Sequence, residues 1–383
     1  MKKVLILAGY YLPGVKGGGP IRSIKNIVDN LSDDIEFYIL ANDGDLGDEK
    51  QFENIKLNEW VKVGNANVYY TNIENLKLRD MYSFLNSIEY DLLYLNSFFS
   101  LKLTTMPLIL NKIKRMPDVP IILAPRGQFS PGALKLGALK KKGFISFAKK
   151  VGLYGGIKWH ATSNFEEEMI KEIISREAKV FIADNLSSNY KHLNYSKNIE
   201  KRPGELNVIF LSRIHPKKNL IKALEFLTSI KGNIQFDIYG PIEDEKYWES
   251  CKKIIKSFSN NIKVNYKGLL AHENVMEKFQ ANHVFLFPTL GENFGHVVSE
   301  AFIGGCPVII SNETPWVSLE EKGIGWDIPL KNEKRFIEVI QYCVDLNQEE
   351  YYEMSKKSFE YIKNNSNRKE EIENHYKMLT TEM

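Results

Sequence analysis

The chain has few of the features that mark several protein classes. Its three cysteines, Cys251, Cys306 and Cys343, lie far apart without a C-x-x-C pair, which fits neither a disulfide framework nor a zinc site. No window approaches the 18 uncharged apolar residues of a membrane-spanning helix. The first apolar run, at positions 4–8, is shorter than the core of a secretory signal. We therefore expect a globular protein in the cytoplasm.

The chain also lacks a strong excess of charge. Its formal net charge is +3 over 383 residues, which is too small for extensive binding of nucleic acid, so we expect no nucleic-acid partner. The charge is unevenly distributed, because positions 102–158 contain twelve basic residues and one acidic residue, Asp118. The sequence therefore predicts one local basic patch.

Apolar runs and helical patterns alternate through the first half of the chain, as in an α/β domain. The run at 4–8 leads into a glycine loop at 17–19, and Pro20 suits the first turn of a helix. Further strands are predicted at 37–40, 92–95, 121–124 and 180–183.

The same alternation restarts after a polar stretch at 194–205 that contains Pro203-Gly204 and is typical of a linker. Strands are predicted at 208–211, 234–239, 262–266, 284–287 and 308–310. At roughly 100 to 200 residues per domain, we predict an N-terminal domain over 1–195, a C-terminal domain over 205–365 and a C-terminal helix over 366–383.

The most informative segment runs from Phe287 to Phe302. A strand ends at Pro288, a loop with Gly291 follows, and a helix is predicted to begin near Gly295. The N–H groups and positive end of such a helix bind anions. Glu292 in the loop and Glu300, about two helical turns further, are carboxylates that suit sugar hydroxyls.

This segment, P-T-x-x-E-x-F-G-x-x-x-x-E-A, resembles the E-x7-E signature of the retaining family 4 glycosyltransferases. Arg213 followed five residues later by Lys218 is similar to the family's strand-end pair. The sequences Lys267-Gly-Leu269 and Gly304-Gly-Cys-Pro-Val308 match further family motifs. The resemblance is dense over 207–330 and loose before residue 120.

The resemblance implies the GT-B fold, two Rossmann-like domains facing across a cleft, with a C-terminal helix that can return to the first domain. Arg213 and Lys218 would neutralise the diphosphate of a UDP- or GDP-linked sugar, and Glu292 would face the charge that develops on the sugar. Glu300 would bind the ribose. The remaining donor contacts would come from the glycines Gly17, Gly18 and Gly19, from Leu269 near the base, and from Asn293, Phe294 and Gly295. No metal and no resident cofactor is expected.

Two positions depart from the family pattern. Arg126 stands where many members have a histidine beside the sugar, and an arginine suits a phosphate or an acidic acceptor. An ion pair on the surface is the alternative role for Arg126. Asn219 replaces the glycine that usually follows the lysine.

Other polar features have simpler explanations. Asp43-Gly-Asp45 imitates a metal-binding D-x-D motif but is also ordinary turn chemistry. His160, His215 and His296 lack the spacing of metal ligands. The glycines at 17–19 also suit a plain turn.

The basic segment contains Phe144, Phe147, Ala148 and Val151 at helical spacing, bordered by lysines at 140–142, 149 and 150. An amphipathic helix packed on its own domain is one interpretation. The other is a helix that binds an anionic membrane, on the inner face of the cell membrane.

Together with these features, the resemblance implies a retaining, metal-independent hexosyltransferase that moves a sugar from a nucleotide-sugar to a glycan or lipid-linked acceptor in surface polysaccharide biosynthesis. Two alternatives remain: a sugar-nucleotide epimerase of the same fold, and a non-catalytic nucleotide-sugar-binding subunit.

Overall fold

The computed structural model of the chain describes residues 1–48, 50–53, 55–130, 133–134, 138–186, 193–364 and 368–381. The chain forms two compact units, of which the first comprises Met1–Leu186 with Asn367–Met383 and the second Ser187–Ser366. Each unit is built on its own largely parallel sheet, so the predicted α/β class with two Rossmann-like domains is confirmed.

The first unit contains an eight-stranded sheet in the order β3-β4-β2-β1-β5-β6-β7-β8, in which β3 alone pairs antiparallel among the described strands. The strands are β1 Lys2–Leu7, β2 Ile35–Asn42, β3 Trp60–Val63, β4 Ala66–Thr71, β5 Leu92–Leu95, β6 Ile121–Leu123, β7 Lys158–Ala161 and β8 Val180–Ile182. The helices are α1 Gly19–Leu31, α2 Leu78–Leu85, α3 Met106–Lys112, α4 Ala138–Lys150 and α5 Asn164–Ile173.

Both faces of this sheet are buried, because successive side chains of a strand point to opposite faces. Leu5 and Leu7 belong to the hydrophobic cluster on one face. Val4 and Ile6 belong to the cluster on the other. This explains why β1 is a continuous apolar run in the sequence.

The second unit contains a six-stranded parallel sheet in the order β11-β10-β9-β12-β13-β14. The strands are β9 Glu205–Leu211, β10 Asn233–Tyr239, β11 Ile262–Gly268, β12 Val284–Phe287, β13 Val308–Ser311 and β14 Gly325–Ile328. The helices are α6 Leu220–Leu227, α7 Glu245–Ile255, α8 Val275–Gln280, α9 His296–Ile303, α10 Glu333–Asp345 and α11 Gln348–Asn364.

The stretch predicted as a linker packs against the second unit instead. Lys197 is buried and its ammonium donates to the carbonyls of Phe279 and Asn282. Lys201 is also buried and donates to three carbonyls, including those of Val344 and Leu346 at the end of α10. These lysines donate hydrogen bonds to carbonyls at helix ends, so the polar composition of this stretch does not indicate a free linker. The first unit ends at Leu186, whereas the sequence predicted the end of the N-terminal domain at residue 195.

The C-terminal helix, α12 Arg368–Thr380, belongs to the first unit. Met378 and Leu379 are buried in the same cluster as Val4 and Ile6. Lys2 Nζ donates to the carbonyl of Thr380 at 2.9 Å. Within the described ranges, no helix is both long and apolar enough to cross a membrane.

Candidate functional site

The strand order in the sheet of the second unit reverses between the neighbouring strands β9 and β12. From β9 the chain continues to one edge of the sheet through β10 and β11, and from β12 it continues to the other edge through β13 and β14. In an open parallel sheet, ligands bind at the carboxyl ends of the strands where the order reverses. The segment after β9 contains Arg213 and Lys218, and the segment after β12 contains Glu292. These three predicted donor residues therefore lie on the two loops at this reversal.

Three hydrogen bonds join these two loops, and a fourth joins the second loop to β13. The carbonyl of Lys217 accepts from Leu290 N at 2.8 Å and from Thr289 Oγ1 at 3.1 Å. Asn219 Nδ2 donates to the carbonyl of Pro288 at 2.8 Å. Ser311 Oγ donates to the carbonyl of Thr289 at 2.5 Å, which ties the second loop to β13. These hydrogen bonds fix the positions of the two loops relative to each other and to β13.

The structure brings Lys218 and Glu292 into direct contact. Lys218 Nζ forms an ion pair with Glu292 Oε1, and each side chain is 13% exposed. Thr289 Oγ1 donates to the same carboxylate at 3.2 Å. A nearly buried pair of this kind is strongly coupled, because removing one partner leaves the other charge uncompensated.

Arg213 has a different partner, since its Nη1 lies 2.7 Å from Glu243 Oε2, with both side chains 37% exposed.

Gly240, just after β10, lies so close to this loop that a Cβ there would be 1.9 Å from the carbonyl oxygen of Ser212. Its N–H donates to the carbonyl of Gly268, and the next residue, Leu269, is half exposed. Leu269 therefore lies at the carboxyl ends of the same strands.

Helix α9 presents its N-terminus at this edge. Gly295 precedes the helix with a left-handed φ of 77°, and no described side chain caps the first turn. Trp316 Nε1 donates to the carbonyl of Phe294 at 2.6 Å and so fixes the loop that leads into the helix. An uncapped helix start can bind an anion. Glu300, in the second turn, is buried at 7% exposure, deeper than the loop residue Glu292.

In the first unit, the glycine loop precedes α1. Gly18 has φ 64° and ψ −131°, a backbone conformation that only glycine adopts readily, and no described side chain caps α1. The Asp45 carboxylate accepts from the N–H groups of Val15 at 2.7 Å and of Lys16 at 3.0 Å. Asp43 accepts from Gln51 Nε2 at 2.7 Å. These two aspartates therefore organise loops.

Arg126 follows β6 and has a left-handed φ of 55°. Its guanidinium donates to three neutral groups: Nε to Asn96 Oδ1 at 2.8 Å, Nη1 to Asn185 Oδ1 at 2.9 Å, and Nη2 to the hydroxyl of Tyr94 at 2.9 Å. Arg126 makes no ion pair within the described part of the chain, in contrast to Arg213 and Lys218.

The three histidines have separate surroundings. His215 Nδ1 accepts from Lys217 N at 3.1 Å and so caps the short turn that carries Lys218. The ring of His296 packs against Phe294, with centroids 4.8 Å apart. His160 is fully buried beneath Arg126 and Tyr94. Among the described residues, no group of three or more His, Cys, Asp or Glu side chains could hold a metal ion.

Several site residues have no clear signal in the sequence. Asn96 and Asn185 are single amides that follow short strands, and only the strand order shows that they meet at Arg126. Trp316 lies 22 residues from its partner Phe294. His215 could have been identified, because a polar residue before Pro216 suits a helical start.

The chain resembles known proteins in part of its sequence and in its fold. Residues 192–361 match the model of the family described as glycosyl transferases group 1. No curated protein is similar enough in sequence to match the chain. Among solved structures, HepE of Anabaena in complex with UDP and glucose has a TM-score of 0.73 at 15% identity, covering 99% of this chain and 100% of that one.

Sucrose-phosphate synthase of Thermosynechococcus elongatus has a TM-score of 0.72 at 13% identity, and the match covers 99% of this chain and 98% of the synthase chain. WaaG, a glycosyltransferase involved in lipopolysaccharide biosynthesis, has a TM-score of 0.69 at 12% identity, covering 99% and 100%. The fold is that of the GT-B glycosyltransferases, as the sequence predicted.

Proposed function

We propose that this chain, whose residues 192–361 match the family model of glycosyl transferases group 1, is a retaining hexosyltransferase. It moves a sugar from a UDP- or GDP-linked donor to a glycan or lipid-linked acceptor in surface polysaccharide biosynthesis. The observation that carries the proposal is the contact of Lys218 with Glu292 beside the uncapped start of α9, at the strand reversal of the second unit.

Each charged group has a role in this reaction. The bond between the sugar's anomeric carbon and the diphosphate breaks, and its electron pair goes to the phosphate oxygen. Lys218, Arg213 and the N–H groups at Asn293 to Gly295 stabilise that negative charge. Glu292 stabilises the positive charge that develops on the sugar, and Glu300 holds the ribose.

Retention requires that the acceptor oxygen bonds to the face that the diphosphate leaves. The acceptor hydroxyl then loses its proton to the departing phosphate oxygen, which lies on that same face. The glycine loop at Gly17–Gly19 allows close approach of a ligand, because Gly18 carries no side chain in its unusual conformation. Lysine and arginine supply the positive charge at the diphosphate, so the proposal includes metal independence.

The proposed location is the cytoplasmic face of the membrane. The exposed surface of α4 supports it: Leu139 is 90% and Phe147 is 66% exposed, and Lys140, Lys142 and Lys150 are exposed around them. The predicted apolar stripe was wrong at Phe147, because Ile145 and Ala148 pack into the core and leave Phe147 on the outer side of the helix. An apolar group bordered by lysines suits an anionic lipid surface.

The test is donor turnover by the purified chain. A panel of UDP- and GDP-linked hexoses is incubated with and without excess chelator, and release of nucleoside diphosphate is measured. We expect slow release from one donor, unchanged by the chelator and abolished in Glu292→Gln. Binding without release would favour a non-catalytic subunit, and full loss of release in chelator would contradict metal independence.

A further inference from the structure

Arg126 is held in one orientation by groups that carry no charge. Tyr94, Asn96 and Asn185, which accept from its Nη2, Nε and Nη1, are all at most 7% exposed. Three of the five N–H groups of the guanidinium are used in this way. The other two donate to none of the described residues and can donate to a ligand.

The hydrogen bonds behind Arg126 form one directed chain. His160 Nε2 lies 2.8 Å from the carbonyl of Ala183, so this nitrogen carries the proton. His160 Nδ1 must then accept, and the hydroxyl of Tyr94 donates to it at 2.6 Å. The same hydroxyl accepts from Arg126. Burial, followed by the positive charge of Arg126, lowers the pKa of His160, so the ring stays neutral.

The nearby carboxylate of Glu166 accepts from other groups than the Arg126 guanidinium. Its oxygens accept from the N–H of Gly127 at 2.6 Å, from Thr162 N at 2.9 Å and from Thr162 Oγ1 at 2.7 Å. Glu166 is fully buried and makes no ion pair with Arg126. A partly buried guanidinium with only neutral partners is costly to a fold.

The backbone of Arg126 is also unfavourable, because a left-handed φ of 55° is uncommon for a residue with a long side chain. Arg126 follows β6 and donates to Asn96, which follows β5, so it lies at the carboxyl edge of the first sheet, one strand from the reversal between β1 and β5. Asn185 Oδ1 also accepts from Ser23 Oγ at 2.8 Å, which links Arg126 to helix α1.

From this arrangement we propose that Arg126 binds an anionic group of the acceptor, a phosphate or a carboxylate, at a preorganised site of the first unit. This inference rests on the proposed function, because only a transferase has an acceptor. It adds the chemical class of that acceptor. Tyr94 is a positioning residue, because it touches Arg126 and holds one side of the guanidinium.

The test uses the full chain saturated with UDP, or with GDP if UDP does not bind, so that the site of the second unit is filled. Calorimetry then measures binding of farnesyl diphosphate, of glucuronate and of inorganic phosphate. Binding of the diphosphate lipid identifies a lipid-linked acceptor, and binding of glucuronate an acidic glycan.

We expect Arg126→Gln to weaken the preferred anion at least tenfold and to leave nucleotide affinity unchanged. Arg115→Gln, which removes an exposed arginine from the same basic segment, should change neither affinity. Tyr94→Phe should give a smaller loss of anion affinity, again with nucleotide affinity unchanged. If Arg126→Gln fails to fold, Arg126→Lys serves in its place, with the charge kept and the paired N–H groups lost.

Equal anion affinity in the wild type and the Arg126 variant, equal losses in the Arg126 and Arg115 variants, or no binding of any probe to the wild type would overturn the proposal. Failure of UDP and GDP to bind would instead contradict the proposed function, since that measurement reports on the second unit.

Discussion

Lys218 and Glu292 neutralise each other in the structure, and the proposed donor competes for that lysine. The pair is nearly buried, which holds the Lys218 ammonium beside the Glu292 carboxylate. In the reaction we propose, a diphosphate would replace part of the Glu292 contact and leave the carboxylate to face the sugar. On that proposal, the ion pair would hold both groups in place for the reaction.

Lys218→Ala should weaken UDP or GDP binding roughly 10- to 100-fold, because hydrogen bonds to charged groups contribute about 1.5 to 3 kcal/mol. Calorimetry with the nucleotide measures the change, and thermal unfolding checks that the fold survives. The matched control is Lys222→Ala, which removes a lysine that pairs with Glu225 and Glu333 on the same unit. Wild-type nucleotide affinity in Lys218→Ala would remove this residue from the donor site.

Glu292→Gln and Glu300→Gln should have different kinetic effects. An interaction made mainly in the transition state lowers kcat when it is lost, whereas uniform binding raises KM. Glu292 lies in the loop before α9, and Glu300 is buried in the second turn of that helix. We expect Glu292→Gln chiefly to lower kcat and Glu300→Gln chiefly to raise the donor KM.

Steady-state kinetics with the donor that the panel of nucleotide-sugars selects separates the two parameters. If Glu292→Gln weakened nucleoside diphosphate as much as Glu300→Gln did, with kcat intact, the two roles would have to be reassigned.

At this scale the sequence identifies the charged residues but not their partners. The spacing of Arg213 and Lys218 predicts a shared diphosphate site, yet each has its own carboxylate, Glu243 and Glu292. Glu243 follows a different strand from either residue, so its contact depends on the order of strands in the sheet. The spacing of residues along one loop does not reveal the order of strands in the sheet.

The loops and helices that carry these residues depend on local backbone requirements. Asn219 has φ 59° and ψ 38° and begins α6. This left-handed conformation explains why glycine is usual at that position, and asparagine is among the few other residues that tolerate it. Asn219 also donates to Pro288, so it fixes the loop that leads to Glu292.

Asn219→Ala should therefore destabilise the chain more than Asn219→Gly. Both variants lose the hydrogen bond to Pro288, but only alanine adds the left-handed strain of about 1 to 2 kcal/mol. Thermal unfolding of the two variants side by side measures the difference. Equal midpoints, or a more stable alanine variant, would mean that this backbone conformation is not retained in solution.

The outer face of α4 should bind anionic vesicles. Replacing Leu139 and Phe147 together by serine removes the exposed apolar groups and should reduce cosedimentation with phosphatidylglycerol vesicles several-fold. Raising salt past about 0.15 M, where the Debye length is roughly 8 Å, should reduce it as well. Phe165→Ser is the matched control, because Phe165 is 65% exposed on α5.

Equal recovery of the wild type on neutral and anionic vesicles would leave α4 as an ordinary packed helix. The same result for the Phe165 control and the double variant would show that no particular apolar group is involved.

For the molecule as a whole, the strands buried on both faces were predictable because they are continuous apolar runs. Strands β3, β4, β7 and β14 were missed. β7 reads Lys-Trp-His-Ala, and its polar residues Lys158 and His160 are buried in the fold. A buried histidine that accepts from a distant tyrosine and donates to a distant carbonyl cannot be distinguished from a surface histidine by local sequence pattern.

The packing of the C-terminal helix α12 in the first unit was predictable only in part. Helix α12 is strongly charged, and its apolar contribution reduces to a few residues such as Met378 and Leu379. His375 on the same helix is fully buried, and burial lowers its pKa to about 4. Because that ring lies 5.4 Å from His160, α12 closes the layer beneath Arg126.

The central claim is that the chain transfers a hexose with retention of its anomeric configuration. The most direct measurement is ¹H NMR of the anomeric signal while the purified chain turns over its donor, with water or a glycan as acceptor. The account predicts release of nucleoside diphosphate together with a first-formed product of the donor's own configuration, and loss of both in Glu292→Gln. An inverted product, or interconversion of the donor sugar without release of nucleoside diphosphate, would contradict it.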